Sequence, residues 1–237
     1  MPTATTTMIS EPQSIALKAS GSTSTLPTLR SLYNRAAKAF VLRDIPLTHS
    51  LIQSAFGLLL PPPNSPDSLE EQRKKWDILR ITFESTIYLS PPSDPLPDAL
   101  KAHLVDSASP QALASTTYNR SLTLFTPTTP GQKGVLSAAF LPTQVLTTLI
   151  FFTLKINAPD IGRVMIEDWL ARREPTYGND ADGQLTAYEK VLELYCLHIL
   201  PKLEEWDYAK EFLHYETELP LARREVMLRS YIRRVNC

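Results

Sequence analysis

The stretch richest in potential metal ligands is Gly178-Asn179-Asp180-Ala181-Asp182-Gly183, continuing to Leu185 and Glu189. Asp180, Asp182, Gly183, Leu185 and Glu189 fall at positions three, five, six, eight and twelve of an EF-hand calcium loop. Position one is Gly178, however, and Pro175 interrupts the helix that has to lead in. Without the first carboxylate the loop loses much of the charge that holds a hard cation, so no metal is assigned and the stretch reads as an acidic loop opening a helix. His49, His103, His198 and His214 have no ligand partner at helical spacing, and Cys196 and His198, two apart, fall on different helix faces. The chain has no Gly-x-x-x-x-Gly-Lys, Gly-x-Gly-x-x-Gly or Gly-x-Ser-x-Gly segment. Its carboxylates are expected on helix exteriors opposite Lys and Arg, as solvated faces. The expectation is a protein with no catalytic activity, cofactor or metal.

With 237 residues the chain is long enough for a sizeable core, and its net charge of -1 lacks the basic excess of a nucleic-acid binder. Twenty prolines against seven glycines predict rigid, Pro-punctuated loops. Two cysteines, Cys196 and Cys237, fit a reducing compartment better than a disulfide scaffold. Residues 1–27 have no basic start followed by an apolar run and read as a disordered tail; residues 28–237 read as one helical-hairpin domain. Asn119-Arg120-Ser121 has the form of a glycosylation acceptor, a chance match in a chain without a secretory signal. Ser65, Ser90, Thr126 and Thr129 each precede proline in loops of exposed character, the setting of proline-directed phosphorylation or of plain solvated linker.

Apolar residues recurring at three and four predict the elements that frame these residues. A helix from Leu29 to about Arg43 carries Leu32, Tyr33, Ala36 and Phe40, with Val41 on the same face. Asp44 and Pro46 open a second helix, with Leu47, Leu51, Ile52, Ala55 and Phe56 inward, which Pro61 to Pro63 stop. Ser68-Leu69-Glu70-Glu71 has the spacing of a capping box, and a long helix follows through Trp76, Phe83 and Tyr88. Past the Pro-rich Ser90–Pro97, Ser109-Pro110 opens a helix to about Leu124.

The uncharged run Val135–Leu154 is long enough to cross a bilayer, but Pro142 divides it and Thr143, Gln144, Thr147, Thr148 and Thr153 follow. It reads as a buried central helix, packed through Phe151 and Phe152. Asn157-Ala158-Pro159-Asp160 is a capping turn into a helix holding Met165, Ile166 and Trp169. Leu185–Leu213 forms a further hairpin, with Asp207 capping its second helix, and a last helix runs from Leu219 to Val235 with apolar Val226 and Met227 against five arginines. The whole is an all-α, irregular stack of helical hairpins, a tetratricopeptide-like solenoid or bundle without a regular repeat.

The segments RAAKAFVLRDIPLTHSLIQSAFGLL, LPTQVLTTLIFFTLKINAPDIGRVMIEDWL and YEKVLELYCLHILPKLEEWDYAKEFL, with the Arg-rich helix after them, resemble the peroxin twenty-six family from about Leu29 to Val235. That resemblance implies a cytosolic helical domain at the peroxisomal membrane. It would dock a pair of AAA ATPases that recycle the matrix-protein import receptor. Family members continue into a C-terminal membrane helix and this chain stops at Cys237, so membrane association is expected only through a tail absent from it. A docking surface is expected around Arg35, Lys38, Arg43 and Asp44 together with Arg223, Arg224, Arg229, Arg233 and Arg234, chosen for charge and exposure. The rival reading is a helical-repeat scaffold subunit of another multiprotein complex.

Overall fold

The computed structural model describes residues 22–62, 67–104, 109–128, 135–173 and 181–235, and these are all-helical, with no strand. In order they form α1 (Ser22–Val41), α2 (Ile45–Phe56), α3 (Glu70–Leu89), α4 (Asp98–Leu104) and α5 (Pro110–Phe125). A 3-10 turn at Ala138–Phe140 leads to α6 (Thr143–Lys155) and α7 (Pro159–Arg172). The helix α8 (Ala181–Leu194) runs through a π-helical segment, Tyr195–Ile199, into α9 (Leu200–Lys202), and α10 (Trp206–Tyr215) and α11 (Leu221–Val235) follow. Thus α1 starts at Ser22, inside the expected tail; residues 1–21, Ser65, Thr129 and Cys237 lie outside the described residues.

The centre of the stack is α6, which packs on α3, α5, α7 and α8. Val145, Leu146, Leu149 and Ile150 are fully buried there, so the uncharged run is a core helix. Among the described residues no helix is long and apolar enough to cross a membrane. Two details of α6 differ from expectation. Phe151 is exposed, and Thr153 is buried with its hydroxyl donating to the Ile150 carbonyl at 2.8 Å. Turning 100° per residue carries Phe151 off the stripe shared by Ile150 and Thr153.

Three hairpin turns are built alike. Arg43, Asn157 and Glu204 each have a positive φ of about 60°. The next amide reaches five residues back, Asp44 to Ala39 at 2.9 Å, Ala158 to Thr153 at 2.8 Å and Glu205 to Leu200 at 2.9 Å. This is the Schellman closure, here with side-chain-bearing residues where glycine is usual. Helix starts vary more. Asp44 Oδ1 accepts from the Leu47 amide at 3.1 Å and Ser109 Oγ from Ala112 at 3.1 Å, as their sequences predict.

The expected caps at Ser68, Asn157 and Asp207 do not form. Asp67 takes the Leu69 amide and pairs with Arg73, α7 opens at Pro159 with no side-chain cap, and Asp207 lies inside α10. Thr126 is buried and accepts from the Ser137 amide at 3.2 Å, contrary to its exposed-loop reading; Ser90 is exposed.

Gly162 sets the separation of α6, α7 and the π segment. A β-carbon there would lie 2.5 Å from Thr153 Oγ1 and 2.7 Å from Ile199 Cδ1. The Ile199 tip can turn, but Thr153 is fully buried and tied to its own helix. Gly162→Ala is therefore expected to destabilise the fold by about 2 kcal/mol, as overpacking does. Urea unfolding measures it, and an unchanged midpoint would mean the three helices are not held this closely.

Candidate functional site

At the end of the stack formed by α1 and α2, Arg35, Lys38 and Arg43 are exposed. The turn between the helices also leaves Val41 79% and Leu42 68% exposed, beside the half-exposed Leu47. Val41 and Leu47 were expected inward, but at this end the inward residues are Phe40, Ile45 and Thr48, and Val41 and Leu47 stand off that face. A groove of about 540 Å³ opens next to them, lined by Phe40, Val41, Arg43, Ile45, Phe83 and Ile87 with Pro91 and Pro92 at its edge. Asp44 serves as the α2 cap, and its left-handed neighbour Arg43 is carried out on the turn.

The basic last helix lies elsewhere. It packs on α10 and the π segment through Met227 and Tyr231, whose hydroxyl donates to the Trp206 carbonyl at 2.7 Å. Val226, expected inward, is exposed. Arg223 pairs with Glu189 at 3.7 Å, Arg224 donates to the Glu216 carbonyl, and Arg229 pairs with Glu225 at 3.3 Å. Arg233 is exposed, and the side chain of Arg234 is outside the described residues. The first hairpin rests on α3, and α11 rests on α10, with α3, α6, α7 and α8 between them. The two halves of the expected docking surface therefore sit at opposite ends of the stack and do not form one patch.

Sequence periodicity also missed a buried ionic cluster. On α3, Arg73, Asp77, Arg80 and Glu84 recur at three and four and all are buried, not solvated as expected. The reason is that α3 is covered on more than one side, by α1, α5 and α6. Arg73 donates to the Leu60 carbonyl at 2.8 Å and pairs with Asp67, tying both residues to α3. Arg80 pairs with Asp77 and contacts Ser121 Oγ at 3.3 Å. Glu84 receives Arg120 Nη1 at 2.8 Å and faces His103 Nε2 at 3.2 Å. His103 comes from α4, whose Leu100 and Leu104 are buried; the spacing of Asp98, Leu100 and Leu104 was the available signal for that short helix.

The two acids respond oppositely. Burial raises the Asp77 carboxyl above its ordinary range, and Arg80 only partly offsets it. Burial also acts to raise Glu84, but the hydrogen bond with His103 and the charges of Arg120 and Arg80 reverse the balance and hold it below its ordinary value. Cys196, in the π segment, is buried, and desolvation pushes its thiol up to about 12, an inert side chain and no nucleophile. Of the calcium-like stretch, Asp182, Gly183, Leu185 and Glu189 lie in the continuous helix α8, which cannot wrap an ion; Gly178 to Asp180 are outside the described residues. Asn119-Arg120-Ser121 is likewise helical, with Ser121 buried.

Compared with protein-family models, curated proteins and solved structures, the chain matches none.

Proposed function

We propose that this chain is a non-catalytic adaptor, in which the α1–α2 end of a helical stack docks a protein partner. The observation that carries the reading is the basic and apolar end itself. Val41 and Leu42 stand exposed on a turn flanked by Arg35, Lys38 and Arg43, above a groove between α1, α2 and α3. Exposed apolar side chains ringed by charge are the usual make-up of a protein-binding surface. None of these three basic residues takes part in an ion pair among the described residues, so the patch favours an acidic partner surface.

The resemblance of the same hairpin to the peroxin twenty-six family narrows the partner to the AAA-ATPase pair of the peroxisomal export machinery, at the cytosolic face of that membrane. The test is retention of the ATPase pair, with ATP, by immobilised residues 1–237. Arg35→Glu with Arg43→Glu is expected to abolish retention, whereas Arg229→Glu with Arg233→Glu, at the other end, leaves it intact. Loss only with the second pair would move the docking site to α11. No retention by folded wild type would remove the ATPase assignment.

A further inference from the structure

A second cleft, of about 420 Å³, opens between α2, α3 and α5, apart from the groove at the α1–α2 turn. Phe56, Leu59, Pro61 and Leu124 give it apolar walls, and the cations at its base are Arg80 and Arg120. Thr116, Asn119 and Thr123 add polar groups to the wall, and the volume is within the range of small-molecule sites. The Arg80 guanidinium lies over the Phe56 ring, 4.8 Å from its centre. Its Nη2 contacts Asp77 and Ser121, and its Nε is buried with no hydrogen-bond partner. Asp77 Oδ2 and Thr117 Oγ1, on the facing helices, are buried without partners too. Of these three residues only Arg80 lines the cleft, where its Nε is the one buried polar atom of the lining left without an acceptor among the described residues.

Charge points to the same side. Glu84 and Asp77 are buried behind the arginines, whereas Arg120 keeps a third of its side-chain surface exposed. Among the described residues Arg120 donates only through Nη1, to Glu84, with His103 Nε2 beside it at 2.9 Å. Its remaining donors are available to an acceptor in the cleft. Asp77 pairs with Arg80 and Glu84 with Arg120 on the inner side, so the exposed part of Arg120 faces the cleft with no carboxylate among its lining residues. A carboxylate matches one guanidinium fork, and the apolar walls favour a head that carries an aliphatic body over inorganic phosphate.

We propose that this cleft binds a small amphiphilic carboxylate, its head on Arg120 and Arg80 and its aliphatic body against Phe56, Leu59, Pro61 and Leu124. The inference is independent of the adaptor reading.

Octanoate is the probe, titrated calorimetrically into the full chain, with octanol and inorganic phosphate in parallel. Expected is saturable one-to-one binding of octanoate with a dissociation constant on the order of 1 mM or tighter. Octanol and phosphate are expected to bind at least roughly tenfold more weakly. Asn119, exposed at the rim, allows a variant that leaves the buried cluster untouched. Asn119→Glu adds a tethered carboxylate that competes for the same arginines, and it should weaken octanoate roughly tenfold, as should Arg120→Gln. Equal binding of octanol would reduce the cleft to an apolar patch, and equal binding of phosphate would reduce it to a bare anion site; either overturns the proposal. Absence of octanoate binding, or octanoate binding indifferent to Asn119→Glu in a variant with wild-type circular dichroism, overturns it as well.

Discussion

Glu84→Ala is expected to lower the unfolding free energy by about 3 kcal/mol, the lower end of the cost of removing one member of a buried ion pair. Its carboxylate is the shared acceptor for Arg120 at 2.8 Å and the partner of His103 at 3.2 Å, so its loss leaves the Arg120 guanidinium without its paired carboxylate. The cost stays at the low end because Arg120 is partly exposed and can turn to water. The pH dependence follows from the sign of the shift. Glu84 is held below its ordinary value of 4.5, so its contribution is complete above that pH and decays as pH falls through the folded value.

The gap between wild type and Glu84→Ala is therefore expected to narrow in acid, below about pH 4.5. Asp77 acts in the other direction. Its raised carboxyl binds a proton more tightly in the folded state, so its contribution falls as pH rises from its ordinary value through the raised one. Urea unfolding at a series of pH values separates the two, and a gap that widens in acid would show that Glu84 is not stabilised as a carboxylate.

Trp76→Ala is the second large effect, expected at about 4 kcal/mol. Trp76 is fully buried on α3, with its ring edge-on to Tyr33 of α1 at 5.3 Å, and it joins the first hairpin to the rest of the stack. Its indole Nε1 is also buried with no acceptor, a standing cost that every smaller side chain removes. Trp76→Phe is thus expected to lose less than about 1.5 kcal/mol, because relief of the orphaned N–H offsets part of the lost contact. Thermal unfolding of the pair decides it. Similar losses for Ala and Phe would mean that the indole N–H has a partner after all.

The helical hairpins were legible because most helices of the stack show an apolar stripe, and α1, α3, α5 and α6 end at an Asp- or Asn-led turn or just before a proline. Leu29, Ala36, Leu51 and Ile52 are buried as that pattern requires. What failed has one physical cause, that periodicity treats a helix as having a single neighbour. α3 has several, so Asp77, Arg80 and Glu84 are as enclosed as Trp76 and Phe83. No charge pattern within α3 distinguishes a salt-bridged face from a solvated one until α5 supplies Arg120 and Ser121. The docking residues failed differently. Each basic residue of the first hairpin was correctly read as exposed, but distance between Arg43 and Arg229 depends on how many helices are stacked between them, which no local spacing records. Ser68 lost its cap to Asp67, a neighbour that Arg73 holds in place.

The π-helical segment Tyr195–Ile199 has a meaning in chain length. Such a segment amounts to one residue inserted into an α-helix without unwinding it. Here it falls where Tyr195, Cys196, Leu197, Ile199 and Leu200 are all buried, between the helices that contact α6 and those that carry α11. Excising a single residue would restore regular turns and rotate everything beyond by roughly 100°. The direction in which the C-terminal arm leaves the stack is therefore a counting property of the polypeptide, set by one residue and not by the strength of any contact.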